Sequence, residues 1–218
     1  MSEMETILEA LKEAIINGKR KDAVELTKKA LDSGIKPADI VSNYMIPALD
    51  VVGKRFETKK IFVPEMMISA RAMQACLDLI KPLLAKDEAI KMGTVVIGTV
   101  FGDLHDIGKN LVVMMLESAG FDVVNIGEND PPERFVEEAR KHNADIVGLS
   151  SLLTTGDPYV KATIEAVKNS DIAGKVKVIC GGAAVTPKFV YTYGADAYAP
   201  DAASAVTKVK ELLRIGIN

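Results

Sequence analysis

Apolar residues recur at helical spacing through the first 88 positions and in short β-branched runs after position 91, so the chain changes grammar once along its length. Ile7, Leu8, Leu11, Ala14 and Ile15 predict a first helix, with Asn17-Gly18 as its stop. Ala23, Val24, Leu26, Thr27, Ala30 and Leu31 predict a second, ending at Ser33-Gly34. Pro37 fits the first turn of a third helix carrying Ile40, Val41, Met45, Leu49 and Val52. A fourth runs from about Pro64 to Leu84 through Met66, Met67, Ala70, Met73, Leu77 and Ile80. Each apolar stripe needs a neighbour to cover it, so residues 1–88 are expected to form a four-helix bundle. Lys86-Asp87-Glu88 reads as a charged, exposed linker and candidate hinge.

Residues 89–218 alternate strand and helix. Thr94–Val100 is a β-branched run suited to a strand buried on both faces. A helix with Ile107, Leu111, Val112, Met115 and Ala119 follows, stopped by Gly120. Phe121–Ile126, Asp145–Ser150 and Val176–Cys180 predict three more strands, and Asp196–Tyr198 a short fifth. Helices open at Pro131-Pro132-Glu133, running through Arg140, and at Asp201, running to Leu213. The expected fold class is therefore α/β: a doubly wound, five-stranded parallel sheet of flavodoxin or Rossmann-like type behind an N-terminal helical cap. Ligands of such sheets sit over the carboxyl ends of the strands, near the switch point.

Composition narrows the functions open to the chain. Of 218 residues 48% are hydrophobic, enough for a sizeable core, while aromatics make up 5% and tryptophan is absent. That sparseness argues against a stacking platform for single-stranded nucleic acid. A net charge of -3 gives no general attraction to DNA or to anionic membranes. Cys76 and Cys180 lie far apart, which suits a reducing cytoplasm rather than a disulfide framework. The opening Met1-Ser2-Glu3-Met4-Glu5 has no basic and apolar signal regions, and no apolar run is long enough to span a bilayer. A cytoplasmic protein with neither nucleic-acid nor membrane partners is expected.

Chemistry concentrates in Gly102-Asp103-Leu104-His105-Asp106-Ile107-Gly108-Lys109-Asn110, directly after the first strand. Asp103 and His105 are two apart, so in an extended loop their side chains can share one side. The carboxylate could then accept one imidazole N–H and leave the other ring nitrogen free as base or ligand. Equally, Asp103 could cap the helix while His105 is incidental. A zinc site needs three or four protein ligands, and the chain holds only two histidines and two distant cysteines. A metal bound by His105 alone would need a macrocycle in its other positions, as in haem. No C-x-x-C-H haem attachment occurs, which leaves a corrin as the remaining common macrocycle. There is no P-loop and no G-x-G-x-x-G after the first strand. A response regulator would want an aspartate where Ser150-Ser151 stands; a flavin-binding flavodoxin-like domain stays open. His142, in Arg140-Lys141-His142-Asn143, is assigned no role.

Asp103-x-His105-x-x-Gly108 resembles the D-x-H-x-x-G signature of cobalamin-binding domains. Ser150-x-Leu152 after the third strand and Gly181-Gly182 after the fourth resemble two further elements of that family. The resemblance implies that His105 displaces the cofactor's own base and becomes the lower cobalt ligand, with Asp103 behind it. It further implies that Ser150, Leu152, Gly181 and Gly182 line the slot for the displaced nucleotide tail. Asp106, Ile107 and Gly108 belong to the same motif, and Thr154 matches a position near the corrin rim. Small residues at strand ends fit this, since glycines permit close backbone approach. In the helical half, Gly53-Lys54-Arg55-Phe56, Phe62-Val63-Pro64-Glu65-Met66-Met67 and Ser69-Ala70-Arg71-Ala72-Met73 resemble the cap of methionine synthase and of small corrinoid proteins. The cap resemblance places Phe62 and Ala72 over the upper face of the corrin, while Met66, Met67 and Met73 are mostly core packing. In methionine synthase a serine continues the His–Asp relay; the aligned residue here is Gly156, so water or a neighbour such as Thr155 would have to take that role.

The resemblance implies a corrinoid methyl carrier using cobalamin, as methylcobalamin or a related corrinoid. Its cobalt would take a methyl group from a substrate-specific methyltransferase and yield it to a second methyltransferase with a pterin or thiol acceptor. A corrinoid reductive activator is a further implied partner. The alternatives are the cobalamin-binding part of an adenosylcobalamin mutase, which usually lacks such a cap, and a cobalamin-sensing regulator, for which there is no basic recognition helix.

Overall fold

The computed structural model describes residues 3–83 and 92–215, and the chain divides into two compact units. The expected linker Lys86-Asp87-Glu88 and the boundary at residue 88 lie outside the described residues. One unit comprises Met1–Ile90 with Ser118–Gly120; the other comprises Lys91–Glu117 with Phe121–Asn218.

In the helical unit α1 (Glu3–Ile16) and α2 (Arg20–Asp32) form as the periodicity predicts, with Gly18 and Gly34 at positive φ just past their ends. The helix expected from Pro37 is instead three contiguous pieces: α3 (Pro37–Ile40), a π turn (Val41–Met45) and α4 (Ile46–Glu57). Pro47 has no amide proton, so the regular ladder cannot continue through it, and the Ile46 amide instead reaches five residues back to the Val41 carbonyl. α5 (Val63–Ile80) starts at Phe62, whose amide donates to the Glu65 carboxylate at 2.7 Å. Its inner face buries Met66, Ala70, Met73, Leu77 and Ile80, as the methionine reading expects, with Met67 half-buried. The Ser69 hydroxyl ties α5 to the end of α1 by donating to the Ile16 carbonyl at 3.0 Å.

The other unit is a five-stranded parallel sheet in the order β2-β1-β3-β4-β5, built from β1 (Thr94–Val100), β2 (Asp122–Asp130), β3 (Ile146–Ser150), β4 (Lys177–Gly181) and β5 (Ala197–Ala199). Around it run α6 (Ile107–Ser118), α7 (Pro132–Lys141), α8 (Asp157–Lys168), α9 (Pro187–Thr192) and α10 (Ala202–Leu212). The doubly wound fold expected from the alternation is thus the observed one. β1 lies between β2 and β3, and chain order reverses there, so the switch point falls at the loop that carries Asp103 and His105. Six of the seven β1 residues are buried, as its unbroken apolar run requires.

Besides α8, for which no range is predicted from the sequence, two elements differ from expectation. β2 extends four residues past Ile126 to Asp130, through polar Glu128-Asn129. Register shifts beside Gly98 allow it, because a Cβ there would stand 2.6 Å from Ile126 Cγ1 and 2.9 Å from the Phe135 ring. The second is α9, too short to leave a periodic signal; Thr186 caps it by accepting from the Phe189 amide at 3.3 Å.

Candidate functional site

Asp103 is fully buried at the end of β1 and is surrounded by hydrogen-bond donors. Its Oδ1 accepts from the His105 amide at 2.9 Å and from the His105 ring Nδ1 at 2.7 Å. Its Oδ2 accepts from the Leu152 amide at 2.6 Å, the Leu153 amide at 3.2 Å and the Ser151 hydroxyl at 3.4 Å. The Asp103 carbonyl accepts from the Asn129 amide at 3.0 Å, and the Asn129 side chain accepts from the Gly102 amide at 2.8 Å. The loop is therefore clamped from both sides, by the extension of β2 and by the chain leaving β3. Gly102 turns it at φ +80°.

Burial by itself would raise the Asp103 pKa. The hydrogen bonds from the His105 amide, the Leu152 amide, the His105 ring and the Leu153 amide outweigh it, and the net effect holds the carboxyl below the usual aspartate range. An ionised Asp103 makes Nδ1 the protonated nitrogen of His105 and leaves Nε2 its acceptor. The His105 side chain is 51% exposed, and Nε2 has no protein partner among the described residues. Because the folded-state pKa is depressed, the stabilisation by Asp103 is complete above the ordinary carboxylate range. It is lost as pH falls through the lower, folded value. Acid titration of the fold by circular dichroism should accordingly show a transition in the wild type below pH ~4, part of which disappears in Asp103→Asn.

The other expected residues of this unit lie at the start of α6 and at or just past the carboxyl ends of β3 and β4. Asp106 accepts from the Asn110 side chain at 2.8 Å across the first turn of α6. Ile107 is 87% exposed and Leu104 70%, an unusual cost for two large apolar side chains flanking a polar loop. A Cβ on Gly108 would meet nothing within 4 Å. Ser150 pairs in register with Thr99 of β1 and Gly181 of β4, and Leu152 and Thr154 follow it as exposed residues. Gly181 and Gly182 permit close approach, since a Cβ on Gly181 would lie 2.7 Å from the Ala199 carbonyl and one on Gly182 would overlap that of Ser151. Phe62 and Ala72 belong to the helical unit, the former 68% exposed at the start of α5 and the latter buried on it. The Thr155 side chain lies outside the described residues.

Several participants carried no advance signal. The Leu152 and Leu153 amides are invisible to any reading of side chains. Ser151 stands between the two recognised residues of S-x-L, and strand alternation would have aimed it opposite to Ser150. The Thr99 hydroxyl donates to the His105 carbonyl at 3.1 Å. Lys109 is buried; its ammonium donates to Asn125 at 2.5 Å and Asn110 at 3.1 Å, linking β2 to the start of α6. Burial lowers its pKa, against the opposing pull of Asp106, Glu128 and Asp130. Burial likewise raises the pKa of Asp130, partly countered by Arg134, which donates to it at 2.7 Å.

An imidazole with one nitrogen held by a buried carboxylate, the other free, and exposed apolar neighbours beside an uncrowded glycine fits a single axial ligand to a large, flat macrocycle. Among the described residues no group of three or more acidic, His or Cys side chains converges. No helix of the described residues is long and apolar enough to cross a membrane.

Residues 93–209 match the family model described as a B12 binding domain, and residues 7–81 match a second model of that description. A dimethylamine corrinoid protein of Methanosarcina acetivorans is 42% identical over 96% of this chain and 98% of its own length. A solved cobalamin-binding protein from Desulfitobacterium hafniense superposes with a TM-score of 0.81 at 29% identity, covering 94% of this chain and 98% of that one. The methanol:cobalamin methyltransferase complex of Methanosarcina barkeri contains a chain with a TM-score of 0.84 at 28% identity, covering 96% of this chain and 80% of that one.

Proposed function

The chain belongs to the B12-binding corrinoid proteins, and from that premise we propose that it is a methyl carrier holding its corrinoid base-off with His105 as the lower ligand. The observation that carries this reading is the 2.7 Å contact between His105 Nδ1 and buried Asp103, which leaves Nε2, on a half-exposed ring, in its ligating form. When bound, the corrinoid supplies a cobalt centre able to accept and yield a methyl group.

The protein's own contribution is orientation. Asp103 fixes the ring plane and keeps the proton on Nδ1, and the Leu152 and Leu153 amides fix Asp103. With the corrinoid bound, His105 would hold its metal through Nε2 while Asp103 Oδ1, 2.7 Å from Nδ1, keeps the ring oriented. Asp106, Ile107 and Gly108 flank the ligand, and Ser150, Leu152, Thr154, Gly181 and Gly182 are the residues assigned to the nucleotide tail. The dimethylamine and trimethylamine corrinoid relatives support a methylamine as the donor, delivered by a substrate-specific methyltransferase. A second methyltransferase would remove the methyl group, and a reductive activator would return oxidised protein to the cycle.

Purified apo-protein offered hydroxocobalamin is expected to emerge from gel filtration coloured, with a visible spectrum showing nitrogen ligation from the protein. His105→Ala should retain the fold and lose that ligation, binding at least about 10-fold more weakly. Colourless wild-type protein, or an unchanged spectrum in His105→Ala, overturns the reading.

A further inference from the structure

Ser151 is fully buried between β3 and the turn that opens α8, and its hydroxyl has two acceptors, the Leu153 carbonyl at 3.2 Å and Asp103 Oδ2 at 3.4 Å. It is the one side chain besides His105 that donates to Asp103 among the described residues. The space it occupies exists because residue 156 has no side chain: a Cβ on Gly156 would overlap Ser151 Oγ and stand 3.4 Å from its Cβ. Gly156 has φ -81° and ψ -16°, a conformation open to any residue, so backbone strain does not explain the glycine. The hydroxyl at 151 and the missing side chain at 156 are two halves of one arrangement.

We propose that Ser151 is a positioning residue for the His105–Asp103 pair, and that Gly156 is glycine to make room for its hydroxyl. The inference rests on the reading of His105 as the corrinoid ligand and names the group that completes its support. One Asp103 oxygen is pinned by His105 alone, through its amide and its ring. The other accepts from the Leu152 and Leu153 amides and from Ser151, whose one hydroxyl proton is shared with the Leu153 carbonyl, so the carboxylate that orients the imidazole is held at both oxygens. Without the hydroxyl, Oδ2 keeps the two amides and loses its one side-chain donor among the described residues. A hydroxyl carried on residue 156 instead would enter the same space from the opposite wall.

The test is a swap. Protein loaded with hydroxocobalamin and reduced to cobalt(II) reports the His-on fraction through nitrogen superhyperfine splitting in its EPR spectrum. Ser151→Ala and Gly156→Ala should each lower the His-on to His-off ratio by about threefold to tenfold, the value of one hydrogen bond. The double variant Ser151→Ala/Gly156→Ser should restore most of it, which a loss of packing alone would not do. In the apo-protein, 15N spectra of the two histidines should show the Nδ1–H tautomer of His105 less populated in the single variants and recovered in the swap. This second readout needs no cobalamin, so failure of wild-type protein to bind it sinks the functional reading and leaves the Ser151 assignment to be judged on tautomer populations. Should Ser151→Ala not fold, Gly156→Ala and the swap carry the same comparison. Unchanged His-on fractions and tautomers in the single variants, or no recovery in the swap, overturn the proposal.

Discussion

Asp103→Ala is expected to cost about 3–5 kcal/mol of stability and to weaken cobalamin binding by about 10- to 100-fold. The carboxylate is buried and accepts from the amides of His105, Leu152 and Leu153. Truncation leaves those three donors without an acceptor in a space the solvent does not reach. Each orphaned donor costs about 1–3 kcal/mol before the loop relaxes or admits water. The weakened binding follows separately, because His105 keeps its ring but loses the acceptor that selects its tautomer. Asp103→Asn tests the two effects together with little change of volume. Its amide offers one acceptor oxygen and one donor nitrogen to a set composed entirely of donors, so one corner must face N–H against N–H. A fall of about 2 kcal/mol in urea denaturation, with the visible spectrum shifted toward the histidine-free form, is expected of it. A variant with wild-type denaturation midpoint and wild-type spectrum would mean that the hydrogen bonds on Asp103 do not hold the loop.

The legible part of this molecule is the part in which residue type and chemistry coincide. Asp103 and His105 stood out because few side chains can ligate a metal and these two lie two residues apart after a buried strand. The β-branched run from Thr94 and the methionine-bearing stripe of α5 predicted their elements through burial, which the structure repeats. What stayed hidden depends on backbone or on distant partners. Every residue carries an amide, so nothing marks those of Leu152 and Leu153 until β3 is set beside β1. The polar end of β2 lacks strand patterning because its pairing beyond Gly98 is shifted and it sits at the sheet edge. The π turn follows from Pro47, a local signal outweighed by the apolar stripe running past it. Gly156 stands where the resembled family has a relay serine, and only the folded chain shows that a Cβ there would overlap Ser151 Oγ.

Gly182→Ala should be the most damaging single methyl that can be added near the site. Gly182 adopts φ +112°, outside the region open to a residue with a Cβ, and strain there is worth about 1–3 kcal/mol by itself. The added Cβ would also overlap the Ser151 carbonyl oxygen and lie 2.7 Å from its carbon and 2.9 Å from its nitrogen, all backbone atoms that cannot rotate away. To relieve it, the end of β4 must part from β3, stretching the 3.1 Å hydrogen bond from the Ser151 amide to the Gly181 carbonyl. That displacement moves the Leu152 and Leu153 amides, hence Asp103, hence His105. A loss of about 3–5 kcal/mol, with poor hydroxocobalamin retention in whatever folds, is expected. Gly108→Ala provides the contrast, because its Cβ would meet nothing within 4 Å. It should leave the denaturation midpoint within about 0.5 kcal/mol of wild type. If the open space above Gly108 is where the corrinoid lies, the same methyl should nonetheless weaken hydroxocobalamin binding. A Gly108→Ala protein that is stable and binds normally would move the ligand off that face of the loop, whereas a stable Gly182→Ala protein would refute the close β3–β4 contact on which the Asp103 support depends.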